Sequence, residues 1–114
     1  MGLGLEVEAG RLFGARRLRR AVLAVGRRHG LAAEGDDEEL WLQGEDVAVE
    51  VRPDPEVGGL TLELELLDDG PQARQRFADV LRDLVRSLDE AGGTVRESDG
   101  GARVTAETVG ELLP

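Results

Sequence analysis

The sequence predicts an α+β fold: a two-layer sandwich with an antiparallel sheet of five to six strands and two helices on one face. Three observations lead there. Leu60, Leu62, Leu64 and Leu66 alternate with Thr61, Glu63 and Glu65, the period of a half-buried strand. Two longer segments, 15–29 and 77–88, instead repeat their apolar residues at intervals of three and four, the period of an amphipathic helix. Each expected strand has one apolar face and each helix one stripe, so the economical arrangement lays both helices on the same side of the sheet.

Taken in order, Leu3, Leu5 and Val7 alternate with Gly4, Glu6 and Glu8 and predict a first strand. The first helix begins near Leu12 or Ala15, with Ala15, Leu18, Val22, Val25 and His29 on one face and Arg16, Arg20 and Arg27 opposite. Gly14 and Gly26 lower its propensity. Arg27, Arg28 and His29 suit the negative pole of its dipole, and Gly30 can adopt the left-handed conformation that ends it. Ala33-Glu34-Gly35-Asp36-Asp37 is a polar link.

Residues 39–43 and 46–52 then read as two strands around a turn at Gly44-Glu45. That turn pairs Leu42 with Val47, Leu40 with Val49 and Trp41 with Ala48, placing both apolar sets on one face. Pro53-Asp54-Pro55-Glu56-Val57-Gly58-Gly59 is a loop by composition, and residues 60–66 complete a three-strand meander. The second helix is announced by Asp68-Asp69-Gly70-Pro71, with acids at the positive pole and a first-turn proline, and it ends at Gly92-Gly93. Phe77, Val80, Leu81, Leu84, Val85 and Leu88 form its buried stripe. Residues 94–97 and 102–105, joined by Ser98-Asp99-Gly100-Gly101, predict a last hairpin, and 106–114 a tail or short terminal helix. The expected order is β-α-β-β-β-α-β-β in one domain spanning 1–114.

Composition narrows the chemistry. All fourteen basic residues are arginine; there is no Lys, no Cys and one His. A Schiff base, a P-loop lysine, a disulfide framework and the common zinc sites are therefore out of reach. Asp36-Asp37-Glu38-Glu39 and Asp68-Asp69 lack the alternating acids and central glycine of a calcium loop, so no metal or other cofactor is expected. His29 beside Ser87 or Ser98 would be needed for acid–base chemistry on a hydroxyl, and no spacing brings them together. The expectation is a protein that is not an enzyme, with an enzyme using carboxylates and an oxygen-bound metal as the distant alternative. The N-terminus has no basic region followed by an apolar run, and no apolar stretch is long enough to cross a bilayer, which points to the cytoplasm.

Charge is polarised. The net charge is −10, yet residues 11–30 carry seven arginines and no acid. A strongly acidic chain with three aromatics makes nucleic-acid binding a poor fit. The exposed ridge of Arg16, Arg20 and Arg27 either pairs with Asp and Glu of the same domain or is the alternative anion-binding surface, for phosphate-containing ligands or nucleic acid. On the uncovered sheet face the alternation places Glu6, Glu8, Trp41, Gln43, Glu50, Arg52, Thr61, Glu63 and Glu65. The sole Trp among acids marks a contact patch, with Trp41, Glu50, Arg52, Glu63 and Glu65 as its partner-binding residues.

The succession of helix, three strands, helix and two strands is carried by residues 18–30, Leu40-Trp41-Leu42, Val47-Ala48-Val49, residues 60–66, residues 77–88 and the Gly100-Gly101 hairpin. It resembles the type III secretion chaperone-like superfamily. The resemblance implies a homodimer that binds an extended segment of another protein, without catalysis. The strand before the first helix departs from that group's order.

Overall fold

The computed structural model describes residues 2–10 and 14–113. The expected α+β sandwich is what the chain forms: one antiparallel six-stranded sheet with two helices on one face. The elements are β1 (Gly2–Glu8), α1 (Gly14–Arg28), β2 (Ala32–Gly35), β3 (Leu40–Gln43), β4 (Val47–Asp54), β5 (Gly59–Leu66), α2 (Pro71–Glu90) and β6 (Thr94–Glu97), then a short 3-10 helix, Val109–Leu112. Spatially the strands run β2-β3-β4-β5-β1-β6. The first strand is inserted between β5 and β6 and pairs antiparallel with both, so β5 and β6 run the same way on either side of it.

The alternation seen in sequence sets the layers. Leu3, Leu5 and Val7 of β1, Leu60, Leu62, Leu64 and Leu66 of β5, and Val47, Val49 and Val51 of β4 all point inward. They meet Leu18, Val22 and Val25 of α1 and Phe77, Val80, Leu81, Leu84, Val85 and Leu88 of α2 in one core. Gly26 is buried in α1, and a Cβ there would sit 3.1 Å from a Leu42 methyl, so the glycine that weakens the helix also lets it approach β3 closely. Gly30 takes φ 71° just past the helix end. The alternative helix start at Leu12 lies outside the described residues.

Several expectations are corrected. The polar link contains a strand: Ala32–Gly35 pairs with β3 at the sheet edge, although all four residues are exposed and show no apolar alternation. The β3–β4 turn is Glu45-Asp46, one residue later than expected, closed by Gly44 N–H donating to the Val47 carbonyl (2.9 Å). Leu42 therefore faces Val49, Leu40 faces Val51, and Trp41 faces Glu50 rather than Ala48. A shift of two residues along one strand conserves the face of every side chain, so the layers survive the error. Pro53 and Asp54 belong to β4, opposite Leu60 and Gly59. They are tolerated because β3 ends opposite Val51, leaving β4 without a neighbour on that side.

Asp68 and Asp69 precede α2 as expected; Asp68 accepts the Gly70 N–H at 3.1 Å, and Pro71 occupies the first helical position. The second arm of the last hairpin reduces to one isolated bridge, Arg96 to Arg103, with Val104 N–H bonding the Val95 carbonyl. The order is thus β-α-β-β-β-β-α-β. The tail forms the short 3-10 helix, whose Val109 joins the core.

Candidate functional site

Helices cover one side of the sheet, and the other side carries the residues singled out by the alternation. Trp41 of β3 lies directly across from Glu34 of β2 on one flank and Glu50 of β4 on the other. Glu63 of β5 is opposite Glu50, and Glu65 is opposite Ala48. Trp41, Glu50, Arg52, Glu63 and Glu65 thus fall on three adjacent strands of one face, as expected. Trp41 remains 39% exposed.

Around it runs a polar network. The Trp41 indole N–H donates to Glu39 Oε1 (3.2 Å), and Arg52 Nη2 donates to Glu50 Oε2 (3.0 Å) and Glu39 Oε1 (3.4 Å). The Arg52 guanidinium is raised above its ordinary value, first by its hydrogen bond to Glu50 and then by the charges of Glu50 and Glu39. Glu39 is held below its ordinary value, chiefly by hydrogen bonding with Glu50 and with the Trp41 indole. The Glu39 bond ties the indole N–H to the residue just before its own strand, leaving an exposed apolar ring with an acidic surround. Glu34 and Glu39 were not in the predicted set. Glu39 could have been found, since 39, 41 and 43 share one strand face by period two; Glu34 required knowing that its segment is a strand.

The α1 ridge sits on the opposite side of the molecule. Arg16, Arg20 and Arg27 are exposed, and among the described residues none of the three makes a hydrogen bond or ion pair. Other arginines of the helix are engaged. Arg19 donates to Asp37 Oδ1 and to the Asp36 carbonyl, both at 2.8 Å. Arg28 grips Asp83 of α2 with two bonds of 2.9 Å.

Asp83 is the main feature that sequence reasoning missed. It is buried among the apolar residues of α2, and its carboxylate also takes His29 Nε2 (2.9 Å), Arg86 Nη2 (2.8 Å) and the Ser87 hydroxyl (3.2 Å). Arg28 above all, with His29 and Arg86, holds it far below the usual carboxylate range despite burial. His29 and Ser87 are therefore neighbours, as the discarded acid–base alternative required, whereas Ser98 lies beside Gly4 on the open sheet face. The order of contacts is not that of an activated nucleophile. The Ser87 hydroxyl bonds Asp83 and accepts from Arg28 (2.9 Å), while His29 spends Nε2 on the same carboxylate. The base that touches the hydroxyl is Asp83, and a carboxylate held so far below its ordinary value by Arg28 is a poor proton acceptor. The cluster ties α1 to α2 and leaves the acceptor atoms of Asp83 occupied.

Among the described residues no group of three or more His, Cys, Asp or Glu side chains is arranged to hold a metal ion, and no helix is long and apolar enough to cross a membrane. No protein-family model matches the chain, and no match to a curated protein was found.

Proposed function

We propose that this chain is a small protein-binding module, without catalysis of its own, whose contact surface is the open sheet face around Trp41. The observation that carries this reading is Trp41 itself: a large aromatic, 39% exposed, hydrogen-bonded to Glu39 one strand in from the sheet edge, on a face that neither helix covers. A half-exposed indole ringed by polar residues has the make-up of an interface anchor, where most of the binding energy concentrates on a few aromatic and arginine side chains. Glu50 and Arg52 orient its surroundings, and Glu63 and Glu65 supply charge for a partner with basic residues. Self-association into a homodimer belongs to the same reading, and so does the mode of action implied by the chaperone-like resemblance, capture of another protein's segment. The cytoplasm is the proposed location.

Anion binding through Arg16, Arg20 and Arg27 is the second reading, and the absence of partners for those three among the described residues favours it. Against nucleic acid as the ligand stands the position of Trp41 on the opposite layer, leaving the ridge without a stacking aromatic among the described residues.

A photo-crosslinking amino acid placed at Trp41 in the native cell tests the first reading. Covalent adducts with protein are expected from position 41 and not from Glu107, an exposed loop position. No protein adduct at 41, or equal yields at both positions, refutes it.

A further inference from the structure

The two faces of the sandwich carry opposite charge. Helix α1 has six arginines and no acid, and α2 balances four arginines with four acids, whereas the six strands carry eight acids against two arginines. The strongest parts of each sign have no use inside the molecule. Arg16, Arg20 and Arg27 on the ridge, and Glu63 and Glu65 on the sheet, make no side-chain hydrogen bond or ion pair among the described residues. The ridge lies diametrically across α1 from Leu18, Val22 and Val25, which rest on the inner face of the sheet. The two charged surfaces therefore look in opposite directions from one molecule.

We propose that the open sheet face receives the α1 ridge of a second copy of this chain, so that copies associate head to tail. This names the partner for the surface assigned above, rests on that assignment, and puts an open chain of copies in place of the closed homodimer. A two-fold contact between sheet faces would bring two predominantly acidic surfaces together, and a two-fold contact between ridges would bring two arginine surfaces together. The heterologous contact brings the unpaired arginines of one surface to the unpaired glutamates of the other, and because the two surfaces lie on opposite sides it does not close on itself after two copies. The spacings match. Arg16 and Arg20 are one turn apart, about 6 Å along the helix axis, while Glu63 and Glu65 are two residues apart, about 7 Å along β5. Each pair allows two fork-shaped arginine–carboxylate bonds. Trp41, two strands from Glu63, is then covered by the incoming helix. The net charge of −10 opposes association at long range. At about 0.15 M ionic strength the screening length is near 8 Å, which damps the whole-molecule repulsion and leaves close pairs intact.

Light scattering after size exclusion at that ionic strength, over a concentration series, tests the proposal with two variants. One removes the ridge (Arg16→Ala, Arg20→Ala, Arg27→Ala) and the other reverses the face (Glu63→Arg, Glu65→Arg). All five positions are exposed, and far-UV circular dichroism checks that both variants fold. The wild type should grow past twice the monomer mass with concentration, each variant should be monomeric alone, and an equimolar mixture should stop at a one-to-one dimer. A wild-type dimer that survives the ridge variant and dissociates in the face variant overturns the head-to-tail geometry but keeps the sheet face as the contact. Association that survives the face variant overturns both. A wild type that stays monomeric throughout overturns self-association and leaves the sheet face to a different protein.

Discussion

Replacing Asp83 with Ala removes the hub that joins the two helices, and its cost can be worked from the contacts. The carboxylate is 9% exposed and accepts from four side chains: Arg28 twice, His29, Arg86 and Ser87. Deleting one partner of a fully buried ion pair costs about 3–5 kcal/mol, because the other charge is stranded. Here the stranded groups are only partly covered, with Arg28 49% and Arg86 60% exposed, so water recovers a share of that cost. About 2 kcal/mol remains after that discount, which for a domain of this size lowers Tm by about 8 °C. Urea unfolding followed by far-UV circular dichroism measures it. A double-mutant cycle with Arg28→Ala should return a coupling of at least about 1 kcal/mol. A loss below about 0.5 kcal/mol, the range of an unremarkable surface substitution, would refute the view that this cluster locks α1 to α2.

The same carboxylate predicts a pH dependence. Its folded value is depressed below the ordinary 3.8, so on acidification the unfolded chain takes up the proton first, and the stabilisation is full above about pH 5 and lost as the pH falls below 4. The stability gap between wild type and Asp83→Asn should therefore narrow from about pH 5 to pH 2, and parallel curves in urea titrations would refute it. Two adjacent glycines should differ sharply. A Cβ on Gly59 would collide with the Val7 carbonyl between β5 and β1, whereas Gly58, at φ 67°, has open space around it. Gly59→Ala should cost about 3 kcal/mol by overpacking and Gly58→Ala about 1 kcal/mol by backbone strain, and the reverse order in thermal unfolding would show that the close strand approach is wrong.

Much of the candidate site was legible in the sequence because a strand's side chains alternate with period two. Leu60 to Leu66 can bury only if Thr61, Glu63 and Glu65 face the other way, and the same parity puts Trp41, Glu50 and Arg52 beside them whichever of two registers the hairpin adopts. Parity survives a two-residue slip; identity of neighbours does not. That is why the sheet face was found, while Trp41 was matched with Ala48 in place of Glu50. Glu34 was missed for a different reason. Ala32–Gly35 has no apolar alternation, and only the hydrogen bonds offered by β3 make it a strand.

By itself, then, the order of residues determined the two layers, the surface of each element that turns inward, and the separation of basic ridge from acidic sheet, since all of these follow from periods of two and 3.6 within single segments. The tertiary structure alone decided where the elements stand. It put β1 between β5 and β6, made an edge strand of a polar link, and brought Arg28 and His29 onto Asp83 across 55 and 54 residues. No local pattern encodes such a contact, because it depends on how α1 and α2 lie on the sheet, and that is settled only when the whole core packs.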